Sequence, residues 1–325
     1  MNALKSAVRA GLHSLGGINA FRWRHKRDVR ILMYHGFSEN RDGLRRQCEQ
    51  IRRSYQPVSM SQVSAALNGG ATLPDHAVAI TVDDGYRNFL TNGYPCFREF
   101  EIPATVFLVS DFLDRKTWLW WNQIEYAFEY TTNRVVDLQL GAKSLTLTLG
   151  RPDERQQQAH CIAESLTNVT NCERLERTRH IFDVLGVDIP AEPPPAWEAL
   201  HWEEVRQLAS GNVEFGAHTK THPILSSIGE EASLREEIQT SKLRVEQELG
   251  RPVVHFCYPN GRQADIGPEV LRITRESGFQ TAVTTEPGMN QLGSGTDPFQ
   301  LKRLGVDPDY PVSYFDELLA GVRLS

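Results

Sequence analysis

The side chains in this sequence that are best suited to hold a metal ion and hydrolyse a bond lie in two segments far apart along the chain. Asp83 and Asp84 are adjacent carboxylates in AITVDDGYRN, and His218 and His222 are imidazoles four residues apart in VEFGAHTKTHPIL. A catalytic Zn²⁺ takes about three protein ligands and leaves a position open for water. One carboxylate and the two histidines satisfy that number, and the second carboxylate is free to take a proton from the activated water.

Both segments follow short apolar runs that are typical of buried strands. Polar side chains at the C-terminal ends of strands are gathered at one face of an α/β sheet or barrel. Side chains at positions i and i+4 of a helix or tight turn project to the same side, so His218 and His222 can share one ion. Each pair alone is weak, because adjacent acids commonly cap a helix and two histidines are often incidental. Together they predict one metal site.

Strand-like and helical stretches alternate over most of the chain. The predicted strands, separated by helical patterns, are 29–35, 77–84, 103–109, 213–218, 253–259 and 281–285. Several are almost wholly apolar, which is typical of strands covered on both faces. This pattern predicts an α/β fold with a parallel sheet or barrel.

Residues 111–200 interrupt this alternation. They contain an aromatic cluster that includes Trp118, Trp120 and Trp121, a polar β-like stretch at 138–149 and a charged helical stretch at 153–185. Because the α/β alternation resumes at Trp202, we interpret 111–200 as an insertion into one domain that spans 28–325. The aromatic side chains either line a sugar cleft or form the core of the insertion.

Composition narrows the classes of partner. The net charge of −6 and the pI of about 6.0 argue against nucleic acid, which calls for a basic surface. Five scattered cysteines without a CxxC motif favour a reducing compartment, and no stretch has the pattern of a membrane span or a signal peptide. We therefore expect a cytoplasmic protein.

Residues 1–27 are basic and have apolar residues at helical spacing, so they predict either contact with the inner membrane or a helix packed on the domain.

The motifs TVDDG, HTKTHP and FCYPNG, in that order, resemble those of the polysaccharide deacetylases, the NodB-homology or carbohydrate esterase 4 group. The resemblance covers about residues 28–110 and 200–306, and YHGF, GFQTAVTT and LKRLGVD are supporting matches. Members of this group are metal-dependent hydrolases that remove N-acetyl, and sometimes O-acetyl or N-formyl, groups from sugars. The resemblance implies a distorted (β/α) barrel of the NodB-homology type with a large mixed insertion.

The resemblance also implies roles for individual residues. Asp83 matches the general base, and the metal ligands match Asp84, His218 and His222. The expected ion is Zn²⁺, with Co²⁺ or another divalent cation as an alternative. In the third motif the residue after proline donates its backbone N–H to the oxyanion, and Asn260 holds that position.

Two positions depart from the family pattern. Cys257 stands where the family has the arginine that positions the base, so another arginine must do this, and Arg303 is the first candidate and Arg262 the second. The histidine that supplies the general acid near the C-terminus is absent, since no histidine follows His255. His35, at the end of the first predicted strand, is the expected replacement.

The resulting functional prediction is a metal-dependent hydrolase that removes an N-acyl group, N-acetyl in the first instance, from an amino sugar in surface glycan or exopolysaccharide biosynthesis. The expected substrate is a lipid-linked or nucleotide-linked sugar. A deformylase of a lipid-linked amino sugar would use the same residues, because one methyl group alters the pocket and no motif. A catalytically silent glycan-binding homologue is another alternative. It is favoured by Cys257 and by the absence of the C-terminal histidine. It is opposed by the complete set of Asp83, Asp84, His218 and His222. Hydrolysis of cyclic amides is a further alternative.

Overall fold

The computed structural model describes residues 17–293 and 295–322. Within these residues ten strands form: β1 (Arg30–Tyr34), β2 (Gln56–Val58), β3 (Ala77–Val82), β4 (Ala104–Leu108), β5 (Val135–Leu140), β6 (Lys143–Thr148), β7 (Val213–Ala217), β8 (His255–Cys257), β9 (Thr281–Pro287) and β10 (Leu301–Gly305). The six predicted strands are all present. β2 and β10 were not predicted, the β-like stretch at 138–149 belongs to the β5–β6 hairpin, and β8 is shorter than predicted because only three of its residues pair.

Seven parallel strands of the described residues close into a barrel in the order β1, β10, β9, β8, β7, β4, β3. The closure is the β1–β3 pairing, in which Ile31 lies opposite Ala79. β2 and β4 pair with the same edge of β3. β2 pairs with residues 77–79 of that strand and β4 with residues 80–82. Every residue of β3 and β4 is buried, which explains their continuous apolar sequences. The predicted distorted (β/α) barrel is therefore confirmed.

Helices cover the outside of the barrel and build the insertion. In the described residues they are α1 (Gly17–Arg24), α2 (Asp42–Ser54), α3 (Met60–Leu67), α4 (Tyr94–Glu99), α5 (Ser110–Leu113), α6 (Trp120–Tyr130), α7 (Pro152–Ser165), α8 (Asn171–Leu185), α9 (Trp202–Ala209), α10 (Glu231–Arg235), α11 (Ser241–Leu249), α12 (Pro268–Glu276) and α13 (Val312–Ala320). The stretch predicted as helical over 153–185 is two helices. The second of these helices, α8, begins directly after Thr170. Thr170 caps its N-terminus, because the Thr170 side chain accepts a hydrogen bond from the Glu173 N–H.

The N-terminal segment predicted over residues 1–27 lies partly outside the described residues, which begin at Gly17. Its described part, α1, packs on α13, where Arg22 Nη2 is 2.7 Å from Asp316 Oδ1. Trp23 is largely exposed. No helix in the part of the chain that the structure describes combines the length and the apolar character needed to cross a bilayer. Contact of this segment with a membrane stays a prediction.

The insertion between β4 and α9 has its own apolar core. The antiparallel hairpin β5–β6 packs with α6, α7 and α8. The side chains buried among them include Ile124, Phe128, Leu138, Ile162, Leu166 and Ile181. The insertion returns to the barrel beside β3, where Leu200 N–H donates to the Gly85 carbonyl. This return lies one residue from Asp84, so the insertion is attached at the candidate site.

Asp114 ties the start of the insertion to the outer helices. Its carboxylate accepts hydrogen bonds from Trp202 Nε1 at 2.7 Å and Lys116 Nζ at 2.9 Å, and Arg244 Nη2 lies 2.8 Å away. Burial by itself raises the pKa of this carboxyl, but the bonds from Arg244, Lys116 and Trp202 outweigh it and lower the pKa to about 2. The ionised form is therefore the one that the fold stabilises.

We expect Asp114→Asn to lose stability in a pH-dependent way. A pKa that is lower in the folded than in the unfolded state contributes stability above the unfolded pKa and loses it as pH falls through the folded pKa. The contribution is about 2 kcal/mol near pH 7 and about half of that at pH 3. Urea unfolding of the wild type and the variant at both values measures it. If the difference in unfolding free energy between the two proteins stays constant with pH, the ionised Asp114 carboxylate is not the source of the stability.

Candidate active site

Asp83 and Asp84 lie at the C-terminal end of β3, inside the barrel mouth. Both side chains are almost fully buried. The Asp83 N–H donates to the carbonyl of Tyr34 on β1, so the chain leaves the strand still attached to its neighbour. Asp84 then adopts a positive φ of 75°, which turns its carboxylate away from that of Asp83. The two adjacent carboxylates therefore have different surroundings.

His218 and His222 lie at the end of β7, where the sequence placed them, but in a tight loop and not at the start of a helix. Thr219 and His222 have positive φ values of 66° and 59°. The Thr219 hydroxyl accepts a hydrogen bond from the His222 N–H at 3.0 Å, and the His218 N–H donates to Leu108 on β4. These bonds fold the loop so that both imidazoles point into the barrel mouth.

The structure brings Asp84, His218 and His222 together. The Nε2 atoms of the two histidines are 3.1 Å apart, and they lie 3.5 Å and 3.6 Å from Asp84 Oδ1. Ligands that bind one tetrahedral Zn²⁺ at about 2.0–2.1 Å are separated from each other by about 3.3 Å. The three atoms thus already have the spacing of a shared ion.

The hydrogen bonds of the histidines also fit a metal site. The His218 Nδ1–H donates to the Cys257 carbonyl at 2.8 Å, which directs Nε2 at the cluster. Burial lowers the pKa of His218, but Cys257, Asp84 and Asp83 outweigh it and raise that pKa well above its usual value. Burial, together with the charge of His218, lowers the pKa of His222 to about 3. A bound cation would displace the proton from His218, and two imidazoles and one carboxylate are then the donors that Zn²⁺ binds, so the residues present fit the expected ion.

Arg303 holds Asp83. From β10 its Nη1 and Nη2 donate to Asp83 Oδ1 and Oδ2 at 2.7 Å and 2.8 Å, and the guanidinium is fully buried. Burial alone would raise the pKa of Asp83, but the pairing with Arg303 outweighs it and holds the pKa well below its usual value. The Cys257 thiol lies 3.5 Å from Asp83 Oδ2. The other candidate, Arg262, was the wrong choice, since it pairs with Glu164 at 3.1 Å.

His35 and Asn260 complete the barrel mouth. His35 is half-exposed, and its Nε2 lies 3.7 Å from Asp83 Oδ2, close but beyond hydrogen-bond distance. Asn260 has a positive φ of 59°, and its side chain donates to Asp265. Its backbone N–H donates to no acceptor among the residues that the structure describes. A donor without a partner at the barrel mouth is available to an oxyanion.

Backbone strain is concentrated at this site. Among the described residues other than glycine, seven have a positive φ, and four of them are Asp84, Thr219, His222 and Asn260. Such conformations cost about 1–3 kcal/mol each and persist where the surrounding structure imposes them. Their position at the ends of β3, β7 and β8 indicates that the three loops are held for the geometry of the site.

The insertion contributes more to the site than the aromatic side chains that the sequence suggested. A cavity of about 580 Å³ has the barrel residues on one side and the insertion on the other. The insertion residues that line it are Trp120, Trp121, Glu125, His160, Ala163, Glu164 and Thr167. Trp121 packs against His222 with ring centroids 4.5 Å apart, whereas Trp118 is buried in the main core. Trp120 and Trp121 thus line a cavity, whereas Phe128, another aromatic residue of the insertion, is buried in the insertion's own core.

Comparison with known proteins identifies the family. The model of the polysaccharide deacetylase family matches residues 70–282, more than half of the chain. Poly-beta-1,6-N-acetyl-D-glucosamine N-deacetylase of Escherichia coli (strain K12) is 33% identical over 111 residues, a match that spans 29% of this chain and only 16% of that protein.

Solved structures show the same fold. A de-N-acetylase from Aggregatibacter actinomycetemcomitans has a TM-score of 0.57 at 17% identity, with 89% of this chain and 99% of that chain covered. IcaB from Ammonifex degensii has a TM-score of 0.56 at 18% identity, covering 89% and 97%. With the matched motifs and the barrel, these findings lead to one conclusion: the chain belongs to the polysaccharide deacetylase family.

Proposed function

We propose that this protein is a metal-dependent amide hydrolase that removes an N-acyl group, N-acetyl in the first instance, from an amino sugar in surface glycan or exopolysaccharide biosynthesis. One observation carries the proposal. A buried carboxylate, Asp83, is held by Arg303 beside the separate metal-ligand set of Asp84, His218 and His222. A binding protein needs no such second carboxylate, whereas hydrolysis needs a base next to the ion.

Asp83 is the proposed general base and Arg303 its positioning residue. The two-pronged bond from Arg303 fixes the carboxylate in one orientation and keeps it ionised, which a base requires before it can accept a proton. The same pairing makes Asp83 a weaker base than a free carboxylate. Orientation is thus achieved at the expense of proton affinity.

Asp84, His218 and His222 would hold the ion, Zn²⁺ or alternatively Co²⁺. When bound, the cation would polarise an acyl carbonyl and make water acidic enough for a weak base such as Asp83 to deprotonate. Cys257 orients His218 through its backbone carbonyl. Trp121 packs on His222 and shields it from solvent.

Asn260 and His35 serve the other two needs of amide hydrolysis. Asn260 lines the cavity, and its backbone N–H, which has no acceptor among the described residues, would donate to the oxygen on which negative charge develops. His35 lines the same cavity 3.7 Å from Asp83 Oδ2 and would protonate the departing amine. Without such an acid the amine would have to leave as an unstable anion.

The substrate class rests on the relatives. The E. coli relative is named for deacetylation of a polymer of N-acetylglucosamine, which supports an N-acylated amino sugar here. An N-formyl sugar remains the second candidate, since the same residues would act on a smaller acyl group. Linkage of the sugar to a lipid or a nucleotide, and a cytoplasmic location, stay predictions.

We expect amine release from N-acetylated amino sugars to fall to about a tenth or less after chelation and to recover with Zn²⁺ or Co²⁺. A fluorogenic amine reagent measures the product, and His218→Gln and His222→Gln, which remove ligands, show no recovery. Substrates are N-acetylglucosamine glycosides, their N-formyl analogues and oligomers. Activity that is unaffected by chelation, in protein shown to be free of metal, would overturn metal dependence. Inactivity on every substrate, with Zn²⁺ bound, would favour the glycan-binding alternative.

A further inference from the structure

We propose that the insertion closes one end of the active-site cavity, so that the protein removes the acyl group from the terminal residue of an amino-sugar chain and not from residues inside it. This inference rests on the proposed function and specifies its substrate. The observations that carry it are the two walls of the cavity, an ion pair that joins them and a fixed carboxylate on the insertion side.

The two walls come from different parts of the fold. The barrel loops contribute Asp83, His218 and Asn260 on one side, and helices α6 and α7 of the insertion contribute the other. The insertion wall stands directly against the ligand set, because Trp121 contacts His222. A sugar whose acyl group reaches Asp84 must therefore lie between the barrel and the insertion.

The walls are joined by Arg262 and Glu164. Both line the cavity, and Arg262 Nη2 lies 3.1 Å from Glu164 Oε2. Arg262 follows Asn260 by two residues, and its backbone N–H donates to Asp265, which also accepts a bond from the Asn260 side chain. The main chain at this end of the bridge is thus fixed beside the proposed oxyanion donor. The pair is about half-exposed, and a polymer that continued through the cavity on this side would have to break it.

The volume supports the same conclusion. At about 580 Å³ the cavity has the volume of an ordinary small-molecule pocket, which is far too small for a long polymer. A polymer that is deacetylated at internal residues needs a groove open at both ends. The volume of this cavity fits the terminal part of a sugar chain and not a continuous stretch of it.

Glu125 is placed to bind that end. It lines the cavity from α6, and its Oε2 accepts a bond from the Asn122 side chain at 2.9 Å. The Tyr86 hydroxyl in turn donates to Asn122, and Tyr86 lies two residues after Asp84. The carboxylate is therefore oriented through a chain of bonds from the catalytic loop. Sugar hydroxyl groups are donors that a fixed carboxylate accepts.

The test is the position of the first free amine in a β-1,6-linked N-acetylglucosamine pentamer, determined by tandem mass spectrometry at low conversion with Zn²⁺ bound. Attack without preference would place about two in five products at the ends. We expect one terminal residue to carry the amine in about nine of ten products. Internal products in proportion to internal residues would overturn the inference and leave the proposed function intact.

Two variants make the test specific. Arg262→Ala and Glu164→Ala remove the bridge, and we expect each to raise the internal fraction about threefold or more. Glu173→Ala is the matched control, because Glu173 is an exposed glutamate of the insertion that pairs with Arg177 outside the cavity, and its products should match the wild type. Failure of the wild type on both the glycoside and the pentamer would instead refute the proposed hydrolysis, and the inference with it.

Discussion

Asp83→Asn is expected to lower kcat by about a thousandfold while KM changes little. General base catalysis contributes about 10²–10⁴ in rate, and the amide of asparagine accepts no proton at neutral pH. The substitution keeps the shape of the side chain and one oxygen that accepts a bond from Arg303. Because the metal ligands are Asp84, His218 and His222, the variant should retain its ion. Amine release and metal content, measured on the same sample, test both halves of this expectation.

The control for this prediction is Asp28→Asn. Asp28 is also buried and also paired, with His25 Nδ1 at 2.6 Å, but it precedes β1 at the opposite end of the barrel. We expect it to retain wild-type kcat. An Asp83→Asn protein that binds Zn²⁺ and keeps more than about a tenth of the activity would show that another group is the base.

The ligand set could be predicted from the sequence because strand ends position it. Asp83 and Asp84 directly follow the apolar run of β3, and His218 directly follows β7, so parallel pairing alone places them at one barrel mouth. The conformation of the loop that carries His222 was harder to predict from the sequence. Its turn depends on positive φ values at Thr219 and His222, which are rare above all for the β-branched Thr219 and which the surrounding structure imposes.

The partner of Asp83 could be narrowed to two arginines but not chosen. Arg303 stands within LKRLGVD and Arg262 directly follows FCYPNG, and the sequence does not show which of the two side chains enters the barrel. Arg303 lies within β10 and is fully buried, whereas Arg262 lies in the loop after β8 and is about half-exposed. A charged residue inside a barrel is stable only when it is paired, and the pair is visible only once β3 and β10 are both in place.

The insertion was the least predictable part. Its helices and hairpin show in the sequence, but the distribution of its tryptophans depends on packing between segments far apart in the chain. Trp118 packs into the barrel core and contacts Trp197, whereas Trp121 faces His222. The two residues are three positions apart with the same side-chain chemistry, so no local pattern separates the core role from the cavity role.

Arg303→Met is expected to lower stability by about 3–5 kcal/mol and to shift the acid limb of the pH–activity profile upward. Without the guanidinium, Asp83 remains a buried carboxylate with no full counter-charge, which is the costly case of a broken buried pair. Burial then raises the pKa of Asp83, because the largest opposing cause has been removed. The base would be ionised only at higher pH. Urea unfolding and the pH dependence of kcat measure the two effects separately.

Two further proteins decide whether Arg303 acts on Asp83 or merely supports the core. Arg30→Met removes another fully buried arginine, one whose donors reach the backbone carbonyls of Leu319, Asp28 and His25, so it should lose stability without a shift in the pH profile. The double variant Arg303→Met with Asp83→Asn removes both charges. It should regain much of the stability that Arg303→Met lost and none of the activity, since an uncharged pair has no unpaired ion to bury. If Arg303→Met keeps the wild-type pH profile, the arginine stabilises the barrel and does not position the base.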